Sequence, residues 1–246
     1  MIKSVQILGT SAGIPTIEQG VSSYIVSFSN YDIMVDCGEG TYINWLKNNY
    51  TWDRLKYIFI THMHPDHTGG LINFLFYKKI SRIDSPIILF GPPELEEYIL
   101  MCLSFQGINL NFDYKVLPVL PKIELEDSLI VKSSEMMHQL KCWSYRFNSE
   151  NIDLMIATDT LPNNNTIKLA NKCDILIHEC TFLDKNIDLA FKTKHTTLNQ
   201  ALKIAEKANV GRLILSHFSK RIKKENFDSI YYKTNKCVVN NERVIL

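Results

Sequence analysis

The stretch Thr61-His62-Met63-His64-Pro65-Asp66-His67 indicates how this chain folds and what it binds. It places three histidines and an aspartate within six positions, directly after the apolar segment 56–60, which predicts a strand. Imidazole nitrogens and carboxylate oxygens are good ligands for zinc-like divalent ions. Residues at i and i+2 of an extended loop project to the same side, so His62 and His64 can share one ion. Asp66 and His67 then turn toward a second position.

Bulk composition indicates an ordinary globular protein around this cluster. The 246 residues are 46% hydrophobic and 22% charged, with a net charge of +1, which argues against disorder and against an overall basic surface. The N-terminal segment is too strand-like for a signal peptide, and no apolar run approaches the ~20 residues of a membrane helix. We therefore expect a soluble, cytoplasmic protein without a membrane partner. The six cysteines form no CxxC pair, so we expect reduced thiols.

Strand and helix patterns alternate along the rest of the chain. Strands are predicted at 5–8, 23–28, 33–35, 56–60, 87–90, within 114–147, and at 154–157, 175–178 and 213–216; helices are predicted at 39–49, 69–80, 93–103, 163–171 and 197–208. Each half has strands followed by helices, and no linker rich in Pro, Gly or Ser separates the halves. We predict one α/β domain over residues 1–246, a four-layer αββα sandwich.

Further residues of metal-ligand type fall near the ends of predicted strands. Asp159 follows one strand, a natural place for a carboxylate that bridges two ions, and His217 follows another. His138, His178 and His195 also lie at or near strand ends or loops. The chain therefore contains the residue types that a two-metal site needs.

Motifs along nearly the whole chain resemble the metallo-β-lactamase superfamily, and its ribonuclease Z branch in particular. The matching segments are LGTSAGIPT at 8–16, DCGEGT at 36–41, HMHPDH at 62–67, TDT at 158–160, HECTF at 178–182, HTT at 195–197 and SHFS at 216–219. The resemblance implies the metallo-β-lactamase fold and a dinuclear, zinc-dependent hydrolase, with Mn²⁺ as the alternative metal.

Carried over residue by residue, the resemblance also implies a role for each side chain. Seven residues would ligate two divalent ions: His62, His64 and His138 one ion, Asp66, His67 and His217 the other, and Asp159 both. Three residues would act in catalysis: His195 as proton donor to the leaving oxygen, Glu179 as its orienting partner, and Asp66 as a guide for the proton of the nucleophile. His178 has no ligand role in this scheme and is interpreted as structural.

Two departures from the ribonuclease Z pattern bear on the substrate. Thr158 stands where the family motif has glycine. The interval from His138 to Asp159 is only 21 residues, which leaves no room for the long arm that grips the tRNA elbow in tRNA-processing members. We therefore expect a metal-bridged hydroxide to cleave a phosphodiester bond in RNA or in a small, cyclic nucleotide, and we favour a substrate smaller than folded tRNA.

Several alternatives remain open. Hydrolysis of another ester, a sulfate or thioester, is one, because the fold alone does not choose the substrate. A non-catalytic metal-binding protein is another, although an acid–base residue such as His195 is not needed merely to bind metal. The basic residues Lys220, Arg221, Lys223 and Lys224 either contact phosphates or form a solvated helix face. Members of this branch are often dimers, so a homodimer is a candidate.

Overall fold

A computed structural model describes residues 1–223, 226 and 243–245 of the chain. These residues divide into two compact units, each built on one sheet. The seven-stranded unit contains residues 2–9, 15–119 and 243–245, and the six-stranded unit contains residues 10–14 and 120–223. The single domain predicted over 1–246 stays a prediction, since the two units use interleaved stretches of the chain.

The seven-stranded unit alternates strands and helices. Its elements are β1 (Ile2–Gly9), β2 (Ser23–Phe28), β3 (Asp32–Val35), α1 (Thr41–Lys47), β4 (Leu55–Phe59), α2 (Pro65–Thr68), α3 (Leu71–Ile80), β5 (Ile87–Gly91), α4 (Leu95–Phe105) and β6 (Tyr114–Pro118). Strands β1 to β3 pair antiparallel, whereas β3 to β6 pair parallel because a helix connects each strand to the next.

Neighbouring parallel strands set up one end of this sheet. Val35 of β3 pairs with Phe59 of β4, so both strands end at the same edge. Asp36 follows directly after β3, and Thr61 begins the histidine loop just beyond β4. Sheet register therefore places the residues that follow both strands side by side.

The six-stranded unit has a mixed sheet of its own. Its elements are β7 (Lys122–Glu124), β8 (Ile130–Met136), β9 (Cys142–Asn148), β10 (Asp153–Ala157), α5 (Asn164–Ala170), β11 (Ile175–Glu179), α6 (Ile187–Thr193), α7 (Leu198–Lys207) and β12 (Arg212–Ser216), with 3₁₀ turns at Glu126–Ser128 and Asp184–Asn186. Its strand order is β12-β11-β10-β9-β8-β7, and the first three strands are parallel. Asp159, Glu179 and His217 lie at the carboxyl ends of those three strands.

The seven-stranded sheet is completed by β13 (Arg243–Ile245), which pairs antiparallel with β1. The sequence also predicts a basic helical stretch after His217 and a final pair of strands. Most of that stretch, including Lys224, and the rest of the strand pair lie outside the described residues. Lys220, Arg221 and Lys223 are described and exposed.

None of the described helices is long and apolar enough to cross a bilayer. The five described cysteines are thiols, as predicted.

Two helices begin at caps that the sequence indicates. The Asn163 side chain accepts a hydrogen bond from the Thr166 backbone N–H at 3.0 Å, which caps α5. Thr197 and Gln200 form a capping box at the start of α7. The short helices α2 and α6 were not predicted. The four residues of α2 are too few to show a helical period.

Lys78 is a buried cation on α3, away from the histidine cluster. Its ammonium donates to the Ile83 carbonyl at 2.9 Å and to Ser85 Oγ at 3.0 Å, and it lies 4.6 Å from the centre of the Phe112 ring. Burial lowers the pKa of Lys78 to about 8, an effect that nearby Asp84 partly offsets.

This pKa predicts a pH dependence of stability. Below about pH 8 both the folded and the unfolded chain bind the Lys78 proton; between about 8 and 10.5 only the unfolded chain does. The free energy of unfolding should therefore gain up to about 1.4 kcal/mol per pH unit from Lys78 over this range. Burial raises the pKa of the Cys37 and Cys173 thiols, which titrate in the opposite sense over the upper part of this range, so the Lys78 contribution is read as a difference between variants. In urea denaturation of metal-free protein, the free energy of unfolding should gain more with pH in the wild type and in the exposed control Lys47→Met than in Lys78→Met. An equal gain in Lys78→Met would contradict the assignment.

Candidate metal centre

The Asp36 carboxylate ties together two loops of the seven-stranded unit. Asp36 is fully buried and has a left-handed φ of 59°, an uncommon conformation for a residue other than glycine. Its Oδ1 accepts the Thr61 backbone N–H at 2.8 Å, and Thr61 Oγ1 lies within 3.0 Å of both carboxylate oxygens. Burial raises the pKa of Asp36, and the contacts with His67 and Thr61 partly oppose this rise.

The same network orients two of the predicted ligands. His67 Nδ1 lies 2.7 Å from Asp36 Oδ2, and His62 Nδ1 lies 3.1 Å from Thr61 Oγ1. Both partners are oxygens that can accept the imidazole N–H. Each ring therefore offers its Nε2 as the coordinating nitrogen, the orientation usual for metal-bound histidine.

The remaining two residues of the loop pair with these histidines. His64 Nδ1 is 2.9 Å from His62 Nε2, close enough for the two nitrogens to share one ion. Asp66 Oδ2 is 3.6 Å from His67 Nε2. The structure thus brings together the two pairs that the sequence suggested, while their role as ligands stays a prediction.

Close backbone packing holds the histidine loop against the loop after β3. Cys37 N–H donates to the His67 carbonyl at 2.8 Å, and Gly70 N–H donates to the Cys37 carbonyl at 2.9 Å. A Cβ on Gly38 would approach the Asp66 carbonyl oxygen to 2.2 Å, a distance that no side chain can occupy. Glycine at position 38 therefore allows the DCGEGT and HMHPDH segments to pack directly on each other.

In the six-stranded unit, two histidines face the two oxygens of Asp159. His138 Nε2 lies 3.6 Å from Asp159 Oδ2, and His217 Nε2 lies 3.2 Å from Asp159 Oδ1. All three side chains are buried. A carboxylate with one imidazole beside each oxygen has the arrangement needed to contact two ions.

Both of these histidines are also oriented through Nδ1. His138 Nδ1 is 3.2 Å from the Lys194 carbonyl, and the Lys194 ammonium donates back to the His138 carbonyl at 2.9 Å. His217, which has a left-handed φ of 57°, has its Nδ1 2.9 Å from Thr181 Oγ1. Nε2 is again the nitrogen that each ring offers to an ion.

Glu179 is a second buried carboxylate of this unit. It accepts hydrogen bonds from the backbone N–H of Thr160 at 2.7 Å and of Thr196 at 3.1 Å, and from Thr181 Oγ1 at 2.6 Å. His195 Nδ1 lies 3.1 Å from its Oε1. Burial alone would raise the pKa of Glu179, but contact with His195 helps to lower it below its ordinary value. Glu179 is therefore an ionised partner for His195.

These donors fit divalent metal ions. Four imidazoles are anchored through Nδ1 on protein oxygens, and carboxylates lie beside the coordinating nitrogens, which is the arrangement expected around zinc. His178 differs: it is buried within β11, its Nδ1 lies 2.7 Å from the Glu179 carbonyl, and burial lowers its pKa. It stays interpreted as structural.

Sequence reasoning missed the residues that orient the ligands. Asp36, Thr61 and Thr181 lie inside the motifs quoted above, but they were given no role. Lys194 adjoins the HTT motif and had no signal of its own, since the contact that orients the His138 ring uses the Lys194 backbone carbonyl.

Known proteins share this fold. The short form of human tRNase Z has a TM-score of 0.85 and 25% identity over 98% of both chains. The metallo-β-lactamase fold protein YhfI from Bacillus subtilis has a TM-score of 0.84 and 18% identity over the whole of both chains. A ribonuclease Z from Prochlorococcus marinus is 29% identical and covers 88% of each chain. These similarities confirm the predicted fold class.

The fold and the histidine and aspartate set therefore define a metal-dependent hydrolase of the metallo-β-lactamase superfamily, in its ribonuclease Z branch. Within that class, the model of the family described as anti-Pycsar protein Apyc1 matches residues 3–235. The chain belongs to this family.

The Asp36 network predicts a specific effect on metal binding. Asp36→Asn replaces one acceptor oxygen by an amide that cannot accept an N–H from His67 or Thr61. We expect affinity for Zn²⁺, measured by chelator competition, to fall about 10–100-fold. Asp32→Asn is the matched control, because Asp32 is a buried carboxylate of the same unit that pairs with Arg54 instead. Equal Zn²⁺ affinity in both variants would contradict the orienting role.

Proposed function

We propose that this chain is a dinuclear, zinc-dependent phosphodiesterase that hydrolyses a small nucleotide, in particular a cyclic nucleotide. The observation that carries this proposal is the Asp159 carboxylate, whose two oxygens face the Nε2 atoms of two different histidines. A carboxylate in this position can bridge two ions, and two-metal sites are typical of phosphodiester hydrolysis.

The proposed ligand set follows the matched motifs. His62, His64 and His138 would hold one ion, Asp66, His67 and His217 the other, and Asp159 both. Mixed imidazole and carboxylate ligands favour zinc, with manganese as the alternative. When bound, two such ions supply a lowered pKa for a water nucleophile and neutralise charge that develops on the phosphoryl oxygens.

Residues of the chain would carry out the proton transfers of the reaction. His195 donates from Nε2 to the leaving oxygen, since its Nδ1 faces Glu179 at 3.1 Å. The buried Glu179 stabilises the protonated imidazole and holds the ring in place. Asp66, which is partly exposed beside His67, accepts the proton of the attacking water.

The short interval between His138 and Asp159 supports a small substrate. β8 ends at Met136, β9 occupies Cys142–Asn148 and β10 begins at Asp153, and the three strands pair antiparallel in sequence. Two short connections and the two strands β9 and β10 use nearly all of the residues in this interval. The chain has no residues left here for an arm that could grip the elbow of tRNA.

Two comparisons point the same way. The alignment with the Prochlorococcus marinus ribonuclease Z spans 275 positions, more than the 246 residues of this chain, so the ribonuclease contains insertions relative to it. The matching family is described by an anti-Pycsar protein and not by a ribonuclease. Both facts support a substrate other than precursor tRNA. The homodimer expected from the resemblance stays a prediction.

A substrate panel tests the proposal directly. Purified protein with Zn²⁺ or Mn²⁺ should hydrolyse bis(p-nitrophenyl) phosphate and cyclic mononucleotides faster than short RNA or 3′-extended precursor tRNA. Cyclic dinucleotides, a sulfate ester and a thioester complete the panel, and Asp159→Ala controls for contaminating enzymes. Clean cleavage of precursor tRNA would refute the argument from the short interval. Turnover of the sulfate or thioester alone would establish the other-ester alternative.

Two substitutions should separate ligand from proton donor. Asp159→Ala removes the bridging carboxylate, so we expect weaker binding of both ions, measured as metal content after dialysis. His195→Ala should keep both ions and lower kcat about 10²–10⁴-fold, since it removes only general-acid catalysis. Loss of metal from His195→Ala would show that His195 is a ligand instead.

A further inference from the structure

Each unit contains a similar arrangement of one buried carboxylate, one threonine hydroxyl and two imidazoles, of which only His195 is partly exposed. In the seven-stranded unit the four residues are Asp36, Thr61, His62 and His67; in the six-stranded unit they are Glu179, Thr181, His195 and His217. Both threonines are buried. The repetition on unrelated stretches of chain points to a shared task for the two hydroxyls.

The number of protons and lone pairs on a hydroxyl determines which group donates in each contact. A hydroxyl has one proton to donate and two lone pairs with which to accept. Thr61 Oγ1 lies 2.9 Å from Asp36 Oδ2. Both Asp36 oxygens already accept from nitrogen, Oδ1 from the Thr61 backbone N–H and Oδ2 from His67 Nδ1, so the carboxylate acts as an acceptor and Thr61 donates its proton to it. Its contact with His62 Nδ1 at 3.1 Å must then run the other way, with the imidazole N–H donating to the hydroxyl.

The second network follows the same logic. Thr181 Oγ1 donates to Glu179 Oε2 at 2.6 Å and therefore accepts the Nδ1–H of His217 at 2.9 Å. The lone pair of His217 is then on Nε2, the nitrogen that lies 3.2 Å from Asp159 Oδ1. His195 Nδ1 is farther from the hydroxyl, at 3.3 Å, and has Glu179 Oε1 at 3.1 Å.

We propose that Thr61 and Thr181 are positioning residues that set the tautomers of His62 and His217, so that each ring directs a lone pair from Nε2 toward a metal ion. The carboxylate orients the hydroxyl, and the hydroxyl orients the imidazole. Without the hydroxyl, either ring nitrogen can hold the proton, and an Nε2–H cannot coordinate a metal. This inference rests on the proposed function in so far as these histidines ligate metal.

The first test reads the tautomers without any metal. Long-range ¹H–¹⁵N correlation spectra of metal-free protein should show the Nδ1–H form of His62 and His217 in the wild type. Finding the Nε2–H form there would overturn the proposal whatever the variants do.

Isosteric variants then isolate each hydroxyl. In Thr61→Val the signals of His62 should shift toward the Nε2–H form, and in Thr181→Val those of His217 should do so. Thr61→Ser and Thr181→Ser keep the hydroxyl and should restore the Nδ1–H form. Thr166→Val is the matched control, because Thr166 is a buried threonine whose hydroxyl contacts Met136 Sδ instead. Unchanged tautomers in both valine variants would refute the proposal.

Metal affinity is the second readout. Chelator competition should show Zn²⁺ binding about 10–100-fold weaker in each valine variant and close to wild type in each serine variant. If the wild type binds no metal and hydrolyses no ester, but the tautomers shift as expected, the proposed function fails and the positioning role stands. Equal affinities in the valine and serine variants would refute the role of the hydroxyls in metal binding.

Discussion

A buried imidazole that offers one nitrogen to a metal must satisfy its other nitrogen within the protein, and the rest of this structure depends on that constraint. An unsatisfied N–H in a dry interior costs about 1–3 kcal/mol, so an acceptor has to stand at a fixed place behind each ring. Asp36 supplies this acceptor for His67 directly and for His62 through Thr61. Glu179 supplies it for His217 through Thr181, and the same carboxylate contacts the proposed proton donor His195 directly.

The acceptors and the imidazoles lie together at the carboxyl ends of parallel strands. β3 and β4 end together in one unit, and β10, β11 and β12 end together in the other. Asp36 and His217, each the first residue after its strand, both have a left-handed backbone conformation. This conformation costs of order 1–3 kcal/mol and persists only where surrounding contacts impose it. At these two positions the surrounding contacts include the hydrogen bond from the Thr61 backbone N–H to Asp36 and the contact of His217 with Thr181.

The chemistry of the centre and the choice of substrate come from different parts of the chain. The histidine loop, Asp159 and His217 correspond to motifs shared with ribonucleases Z, whereas the short β8–β10 region differs from the tRNA-processing pattern. A fold hosts many substrates, so the catalytic residues cannot by themselves select one. The segments around the centre must therefore determine which substrate binds. For this reason the proposed substrate depends more on the interval after His138 than on any of the proposed metal ligands.

The sequence by itself determined the residue types, the strands that deliver them and the fold class, because alternating apolar periods and a dense histidine motif are local signals. It missed α6, and it missed α2, whose four residues are too few to show a period. Only the tertiary structure decided which oxygen stands behind each imidazole. Asp36 is 31 positions from His67, and Thr181 is 36 positions from His217, so no local pattern links them. These partners meet because sheet register brings the strand ends together, and register is a property of the folded chain.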